Sequence, residues 1–345
     1  MTAVEPVPYV GFVFPGQGAQ LPGMAHALAH SVSGFSKHLS RLLDLPGCGG
    51  RTLGEDWADP LSCEGFDHAD HSQPMLLALG MALAHELAHR GVAPHAVVGH
   101  SVGEIAAAWV AGVFGADQDA ALVRSRQNAV RVDGNGAMLA VPAAPDDVRP
   151  HLVPGAVIGA FNARRQVVVS GRPKAVAATA DRLRAAGHAV QLVRSDRAFH
   201  SPQCAGAARR FTREVERLAP APARLPLFSG LTGTEANAEQ SGSPMFWGRQ
   251  LAEPVHFDAA VTSLLDSGTK RWVLVEMGPS SSIRAVLRRH PSVRSGTAEV
   301  VSVLPPADAS AAQCVDHVDR LAERLLGVMA AGTSSRTSSP PSSRH

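Results

Sequence analysis

A serine between two glycines separates a short apolar strand from an Ala-rich helix, and this order strongly limits the possible folds. The strand is Ala96–Val98, the motif is GHSVG at 99–103, and the helix begins near Ile105. A sharp strand-to-helix turn of this kind lifts a serine hydroxyl clear of the sheet, and glycines avoid collisions with neighbouring backbone. The N–H groups at the start of the helix can stabilise an oxyanion. The pattern predicts that Ser101 is a nucleophile, with a helix-capping serine as the alternative.

The region from residue 137 to residue 193 follows a different pattern. Four apolar runs and two helical stretches alternate there in the order strand, helix, strand, strand, helix, strand. This order is typical of a ferredoxin-like unit, here inserted into a larger domain. We therefore predict a discontinuous catalytic domain at 1–136 and 194–331, a subdomain at 137–193 and a disordered, Ser/Pro-rich tail at 332–345.

Composition and charge fit a compact enzyme. Of the 345 residues, 45% are hydrophobic and 18% are charged, which argues against a disordered chain. Lys and Arg number 32 against 30 Asp and Glu, so no general attraction to nucleic acid or anionic membrane is expected. The sequence shows neither a secretory leader nor an apolar run of about 18 residues, so we expect neither export nor a membrane span.

The cysteines predict a reducing compartment. Cys48, Cys63, Cys204 and Cys314 lie far apart in the sequence, with no spacing typical of a disulfide framework or a zinc site. We therefore expect a cytoplasmic protein without a metal. His68 and His71 could suggest a metal site, but their spacing and flanking residues favour a solvated loop.

A serine nucleophile needs a base, and His200 is the best candidate among the 16 histidines. It follows the last strand of the small unit, in a segment closed by Pro202, where a loop can present it to a cleft. The alternative is a polar loop histidine without a catalytic role.

These motifs together resemble the malonyl-CoA:acyl-carrier-protein transacylases and the acyltransferase domains of polyketide synthases. The resemblance runs from Phe12 to about Leu287, and the matching segments are FVFPGQGAQ, SQPML, GHSVGE, LVRSRQ, AFHSP, QLAEPVHF and EMGP. It implies an α/β-hydrolase-like large domain with an inserted ferredoxin-like subdomain. It also implies that Ser101 carries the acyl group as an ester and that His200 is its general base.

The resemblance assigns further roles. Gln17 and Val102 correspond to the oxyanion hole, and the main-chain carbonyl of Gln250 corresponds to the group that orients the histidine. Gln73 and Asn162 match positions that line the acyl pocket.

Arg126 is the residue expected to bind the substrate carboxylate. It lies on a helix predicted at 117–132, three or four positions from apolar residues, whereas Arg124 and Arg131 point elsewhere. A buried guanidinium needs an anion, and in the resembled family this position holds the free carboxylate of malonyl or methylmalonyl. A structural ion pair with an internal carboxylate is the alternative.

Two positions bear on the choice of acyl group. Val102, after the nucleophile, and Phe199, before the histidine, resemble malonyl-type domains, in which a bulky Phe closes the space that a methyl branch would occupy. The sequence departs from that pattern at Arg197, where malonyl-type domains usually carry His, and in the serine run 280–282.

The resemblance implies a ping-pong transfer from malonyl-CoA to the phosphopantetheine thiol of an acyl carrier protein, with no bound cofactor. Carrier proteins are typically acidic, so a basic docking patch is expected, and its candidates are Arg164, Arg165, Arg284, Arg288 and Arg289. We expect a monomeric, discrete enzyme of polyketide or fatty-acid synthesis.

Three alternatives remain open at this point. The chain could transfer an aminoacyl or longer acyl group between carrier proteins, although a neutral or cationic acyl end would not pair with the guanidinium of Arg126. It could be an editing thioesterase or another hydrolase, although no motif marks a catalytic acid between Ser101 and His200. It could also be a binding module that has lost catalysis.

Overall fold

The computed structural model describes residues 8–131, 135–267, 271–279 and 282–334. Its strands are β1 (Pro8–Phe14), β2 (Ala96–Gly99), β3 (Ala137–Val141), β4 (Ala156–Ala163), β5 (Gln166–Gly171), β6 (Gln191–Leu192), β7 (Leu227–Phe228), β8 (Arg271–Glu276) and β9 (Ala298–Ser302). Its helices are α1 (His26–Ser31), α2 (Ser33–Leu42), α3 (Leu53–Ala58), α4 (Ala69–His89), α5 (Val102–Val110), α6 (Asp119–Val130), α7 (Pro145–Val148), α8 (Pro173–Ala185), α9 (Ala205–Leu218), α10 (Ala238–Ser241), α11 (Pro244–Arg249), α12 (Phe257–Leu265), α13 (Ser282–Leu287), α14 (Pro291–Arg294) and α15 (Ala311–Ser334).

A parallel sheet in the order β7-β2-β1-β8-β9 forms the centre of the molecule. β1 pairs with β2 on one side and with β8 on the other, and these strands are nearly continuous apolar runs. Such runs are expected where helices cover both faces of a parallel sheet. The carboxyl ends of β1 and β2 are adjacent, since Phe14 is paired with Gly99. This pairing brings the PGQG loop beside the turn that carries Ser101.

A second, antiparallel sheet has the order β4-β5-β3-β6 and carries α7 and α8. The connections follow the order strand, helix, strand, strand, helix, strand that the sequence predicted, so the ferredoxin-like fold is confirmed. One face packs on α8 in a core of its own, which includes Leu139, Val169 and Val176. Residues on the other face, such as Met138 and Val168, belong to the main core.

The long helix α4 lies beside the acyl pocket through Gln73. α4 starts at Ala69 and contains Pro74. Proline has no N–H, so the carbonyl of Asp70 four residues earlier loses its helical partner. The side-chain amide of Gln127 donates to that oxygen instead, at 3.0 Å. His71 consequently lies buried in the first turn of α4, and the prediction that it occupies a solvated loop is wrong.

Two further predictions need correction. Cys48 and Cys63 form a disulfide, which the sequence analysis did not expect because a separation of 15 residues has no motif that marks it. α15 continues to Ser334 and therefore includes the first residues of the predicted tail 332–345, while 335–345 lie outside the described residues. The described helices include none with the length and apolar character that a bilayer crossing requires.

Candidate active site

Ser101 occupies a strained turn between β2 and α5. Its φ of 53° and ψ of −119° lie in a region that residues other than glycine rarely adopt. The neighbouring glycines are required by space: a Cβ at Gly99 would lie 2.2 Å from the Glu104 nitrogen, and one at Gly103 would lie 2.3 Å from the Phe14 oxygen. The geometry is that of a nucleophile elbow.

His200 faces the serine hydroxyl. Its Nε2 lies 2.7 Å from Ser101 Oγ, and both side chains are buried. Like Ser101, it has a positive φ, here 60°. Burial, reinforced by the nearby His100 and Arg126, lowers the pKa of His200 to about 3, so the imidazole is neutral and can accept the hydroxyl proton.

Main-chain groups of two residues hydrogen-bond the imidazole of His200, and one of them is the predicted Gln250. His200 Nδ1 lies 3.0 Å from the main-chain oxygen of Glu253, in the turn that follows α11. The backbone of Gln250, to which this role was assigned, also hydrogen-bonds His200, and its side-chain amide donates to the main-chain oxygen of Ser101. A carbonyl accepts only from a protonated nitrogen, so it fixes Nδ1–H and leaves the Nε2 lone pair toward the serine.

Arg126 is fully buried on α6, whereas Arg124 and Arg131 are exposed. Its Nε donates to Gln73 Oε1 at 2.8 Å, and its Nη1 donates to Gln250 Oε1 at 3.3 Å. Nη2 is buried without a hydrogen bond, and within the described ranges no carboxylate forms an ion pair with this guanidinium. Burial lowers its pKa to about 9. The predicted alternative, a structural ion pair, is therefore absent from the described part of the chain.

A cavity of about 180 Å³ lies above Ser101 and His200. Its lining includes all three residues predicted for the acyl pocket, namely Gln73, Asn162 and Phe199. Asn162 Oδ1 also lies 2.8 Å from His100 Nε2. Arg126 is not part of this lining, but its Nε donates to Gln73, which is.

Comparison with known proteins identifies the family. The family model described as the acyl transferase domain matches residues 11–313 of the chain. The chain belongs to the acyl transferase family.

The relatives of this acyl transferase domain are much longer proteins. It is 34% identical over 305 residues to the polyketide synthase GfsB of Streptomyces halstedii, and the match covers 86% of the chain and 5% of that protein. It is also 34% identical over 288 residues to the spectinabilin polyketide synthase system protein NorB of Streptomyces orinoci, covering 80% of the chain and 13% of that protein. The chain thus spans a small part of the length of these two relatives.

Solved structures show the same fold. The loading acyltransferase of the avermectin modular polyketide synthase has a TM-score of 0.78 and 28% identity, covering 92% of this chain and all of that one (100%). The acyl transferase domain of SpnD, in complex with 2-(pent-4-yn-1-yl)malonyl, has a TM-score of 0.81 and 28% identity. The match covers 95% of this chain and 78% of that one. FabD of Acinetobacter baumannii has 24% identity and a TM-score of 0.78, and the match covers 93% of this chain and 99% of that one. At this identity it supports the fold alone.

The residues predicted for the oxyanion hole of this acyl transferase domain lie beside the nucleophile. Val102 is the first residue of α5, and Gln17 lines the cavity from the loop after β1. Gln73 Nε2 donates to Gln17 Oε1 at 2.9 Å, which links the loop to α4. Both main-chain N–H groups therefore belong to segments held against the serine, and their part in an oxyanion hole stays a prediction.

Sequence reasoning assigned no role to Glu104, a buried acid behind the elbow. It accepts hydrogen bonds from the Ser229 hydroxyl and, at 3.2 Å, from the Gly230 N–H. Burial raises its pKa to about 7. These contacts fasten α5 to the segment after β7, and the only sequence signal is the acidic residue that ends GHSVGE.

Three of the five arginines predicted for a docking patch surround one cavity. Arg164, Arg165 and Arg289 line a space of about 580 Å³, together with Arg294. Arg284 and Arg288 are not part of its lining. Asn162 contributes to both this basic cavity and the cavity above Ser101, so the two adjoin.

The two departures from the malonyl pattern have different outcomes. Arg197 forms an ion pair with Asp196 at 2.5 Å and lies outside the cavity lining. Residues 280 and 281 of the serine run lie outside the described residues.

Proposed function

We propose that the chain transfers a malonyl-type acyl group from CoA to the phosphopantetheine thiol of an acyl carrier protein. The observation that carries this proposal is the 2.7 Å contact between Ser101 Oγ and His200 Nε2 at a small cavity. The contact is that of an activated nucleophile and its base. The names of the polyketide synthases that resemble the chain support polyketide synthesis, and fatty-acid synthesis uses the same chemistry.

The first half-reaction loads the serine. His200 Nε2 accepts the proton of Ser101 Oγ, and the oxygen attacks the thioester carbonyl of malonyl-CoA. The N–H groups of Gln17 and Val102 stabilise the oxyanion of the tetrahedral intermediate. His200 then returns the proton to the CoA sulfur, which leaves the malonyl group on Ser101 as an ester.

The second half-reaction unloads it. CoA departs, and the phosphopantetheine thiol of the carrier gives its proton to His200 and attacks the ester. The intermediate collapses with transfer of that proton back to Ser101 Oγ, so a thioester forms on the carrier and the serine is regenerated. The two substrates thus react in turn at one nucleophile, which is a ping-pong mechanism.

Arg126 holds the free carboxylate. Its Nη2 has no hydrogen bond in the described structure, and an anion would satisfy both this donor and the buried charge. The Gln73 side chain lines the cavity and accepts from Arg126 Nε. When the carboxylate binds, Gln73 either rotates away or keeps this hydrogen bond while the carboxylate accepts from another nitrogen of the guanidinium. The malonyl derivative bound to the acyl transferase domain of SpnD supports this class of substrate.

The central test follows the acyl group by mass. The purified chain is mixed with malonyl-CoA, and intact-mass spectrometry is expected to show one covalent malonyl group. Addition of a phosphopantetheinylated carrier should move that mass to the carrier. Release of free malonate faster than carrier loading would favour the hydrolase alternative, and equal loading of an aminoacyl thioester would favour the alternative with unusual acyl groups.

The lowered pKa of His200 predicts that the rate of Ser101 acylation changes little as the pH falls below 7. A base with the ordinary pKa of about 6.5 loses about eightfold in its neutral fraction between pH 7 and pH 5.5. Because the pKa of His200 is near 3, its neutral form persists at pH 5.5, and the rate of Ser101 acylation should change by less than about twofold. Rapid-quench acylation with malonyl-CoA measures this, and circular dichroism at each pH confirms that the chain is folded. An eightfold loss would contradict the buried, neutral histidine.

The basic cavity predicts unequal effects of two neighbouring arginines. Arg289→Glu should raise the KM for an acidic carrier by about tenfold at low salt, with kcat little changed, since it reverses a charge at the cavity. Arg288→Glu is the matched control, because this exposed arginine is not part of the lining, and it should change KM by less than about twofold. Equal effects of both variants would mean that net charge, not this cavity, attracts the carrier.

A further inference from the structure

Four side chains that commonly bind metals converge at a point outside the catalytic site. They are Cys48, Asp56, Cys63 and His71, whose nearest ligand atoms all lie within 4.8 Å of one another. Three of them are buried, and Cys48 is partly buried. No step of the proposed acyl transfer uses any of these residues.

The histidine is oriented for coordination. His71 Nδ1 lies 3.1 Å from Asp70 Oδ1, and a carboxylate accepts a hydrogen bond, so this contact assigns the proton to Nδ1. The lone pair of Nε2 then points into the cluster, where Cys48 Sγ lies at 3.4 Å and Asp56 Oδ2 at 3.9 Å. Histidine ligands of zinc typically carry such a carboxylate on the other ring nitrogen.

The aspartate is also held for this role. A capping box of Thr52 and Glu55 starts α3, and Asp56 follows in its first turn, fully buried. Its Oδ2 accepts the Cys48 N–H at 2.6 Å, while Oδ1 lies 3.1 Å from Arg51 Nε and has no hydrogen bond in the described structure. These two contacts hold the carboxylate with Oδ2 toward the cluster, 3.9 Å from His71 Nε2.

The distances suit a tetrahedral zinc ion. With Zn–S about 2.3 Å and Zn–N about 2.0 Å, a thiolate sulfur and an imidazole nitrogen on one ion are about 3.5 Å apart. The observed separation of Cys48 Sγ and His71 Nε2 is 3.4 Å. The two sulfurs, which are bonded in the structure, must separate to about 3.8 Å for both to bind one ion, and His71 Nε2 and Asp56 Oδ2, now 3.9 Å apart, must approach to about 3.3 Å.

We propose that the reduced form of this cluster binds a Zn²⁺ ion through Cys48, Cys63, His71 and Asp56. Two thiolates and an imidazole favour zinc over magnesium or calcium. The disulfide and the metal exclude each other. A dithiol reductant gives two electrons and two protons to the sulfurs and is itself oxidised to a disulfide; zinc then displaces the two thiol protons.

The proposed ion would fasten the segment 48–63 to the start of α4. Gln73 lies two residues beyond His71 on α4 and donates to Gln17, while its oxygen accepts from Arg126. The metal would therefore stabilise the end of the helix that faces the acyl pocket, although it would touch no reacting atom.

Metal binding by the full chain tests the proposal. The chain is reduced with a phosphine, stripped with a chelator, supplied with zinc and desalted before elemental analysis. We expect about one zinc per chain for the unaltered protein and for Cys314→Ser, the matched control at a buried free cysteine. The double variant Cys48→Ser, Cys63→Ser should retain almost none. Asp70→Asn, which changes the partner of His71 Nδ1 and loses a 4.0 Å ion pair with Arg131, should weaken binding about 10- to 100-fold.

Cobalt gives a second measurement that needs no variant. Co²⁺ added to the reduced, unaltered chain should produce the thiolate charge-transfer band and the d–d bands of a tetrahedral site, and the oxidised chain should show neither. The thermal midpoint of the reduced chain should also rise with zinc concentration. The proposal is overturned if the reduced chain takes up no zinc, if the oxidised chain binds it equally, or if Cys314→Ser loses it as completely as the double variant.

Discussion

Ser101→Ala should abolish the acyl adduct and lower carrier acylation by about 10⁴-fold or more. The hydroxyl oxygen is the enzyme atom that bonds to the acyl group in the proposed cycle, so its removal eliminates both half-reactions. Loss of the nucleophile in serine enzymes leaves only the small acceleration that binding and the oxyanion hole provide. Intact-mass spectrometry after exposure to malonyl-CoA measures the adduct, and carrier acylation measures the rate.

The matched control for this variant is Ser195→Ala. Ser195 lines the same cavity, but its hydroxyl donates to the Arg197 carbonyl at 3.1 Å, whereas the hydroxyl of Ser101 is the one placed against His200. This variant should keep the adduct and most of the activity. A malonyl adduct that persists in Ser101→Ala would mean that another group is acylated, and the mechanism would be wrong.

Arg126→Ala should lower kcat/KM for malonyl transfer by about 30- to 4,000-fold while changing acetyl transfer by less than about threefold. Truncating one partner of a buried, hydrogen-bonded charge pair costs about 2–5 kcal/mol, and each 1.4 kcal/mol is a factor of ten. Acetyl has no carboxylate and therefore loses nothing at this position. The ratio of the two rates, measured with both thioesters on the same preparation, is the decisive quantity.

Two variants separate charge from structure at this position. Arg124→Ala removes an exposed guanidinium from the same helix and should leave both rates unchanged. Arg126→Lys keeps a cation but loses the two-pronged donor, so its malonyl rate should fall between the two extremes. If Arg126→Ala lowers malonyl and acetyl transfer equally, Arg126 supports Gln73 and Gln250 structurally and does not bind the carboxylate.

The sequence predicted those parts of the site that depend on residue type. Ser101 carries a motif, His200 lies in a segment with a recognisable pattern, and the burial of Arg126 follows from helical periodicity. The atoms that orient His200 could be predicted only in part. The carbonyl of Glu253 accompanies the predicted backbone of Gln250, and every residue has a carbonyl, so only the path of the turn after α11 determines which ones reach the imidazole.

Features that combine distant segments also escaped prediction. Cys48, Asp56, Cys63 and His71 meet because α3 and the start of α4 pack together, and no spacing in the sequence indicates this contact. Arg288 and Arg289 were predicted to share one patch. They follow the end of α13 at Leu287, where helical periodicity no longer gives the direction of side chains, and only Arg289 lines the basic cavity.

The two sheets contribute different parts of the site, the parallel sheet the nucleophile and the antiparallel sheet one wall of the cavity. Ser101 stands on the parallel sheet, whereas Met138, Ala140, Ala160 and Val168, from β3, β4 and β5 of the antiparallel sheet, form one wall of the cavity. Substitutions in that wall can reshape the volume offered to a substituent on the acyl chain without disturbing the elbow, because the wall belongs to a different layer. Substitutions in this wall can thus change which acyl group is accepted while the catalytic residues stay unchanged.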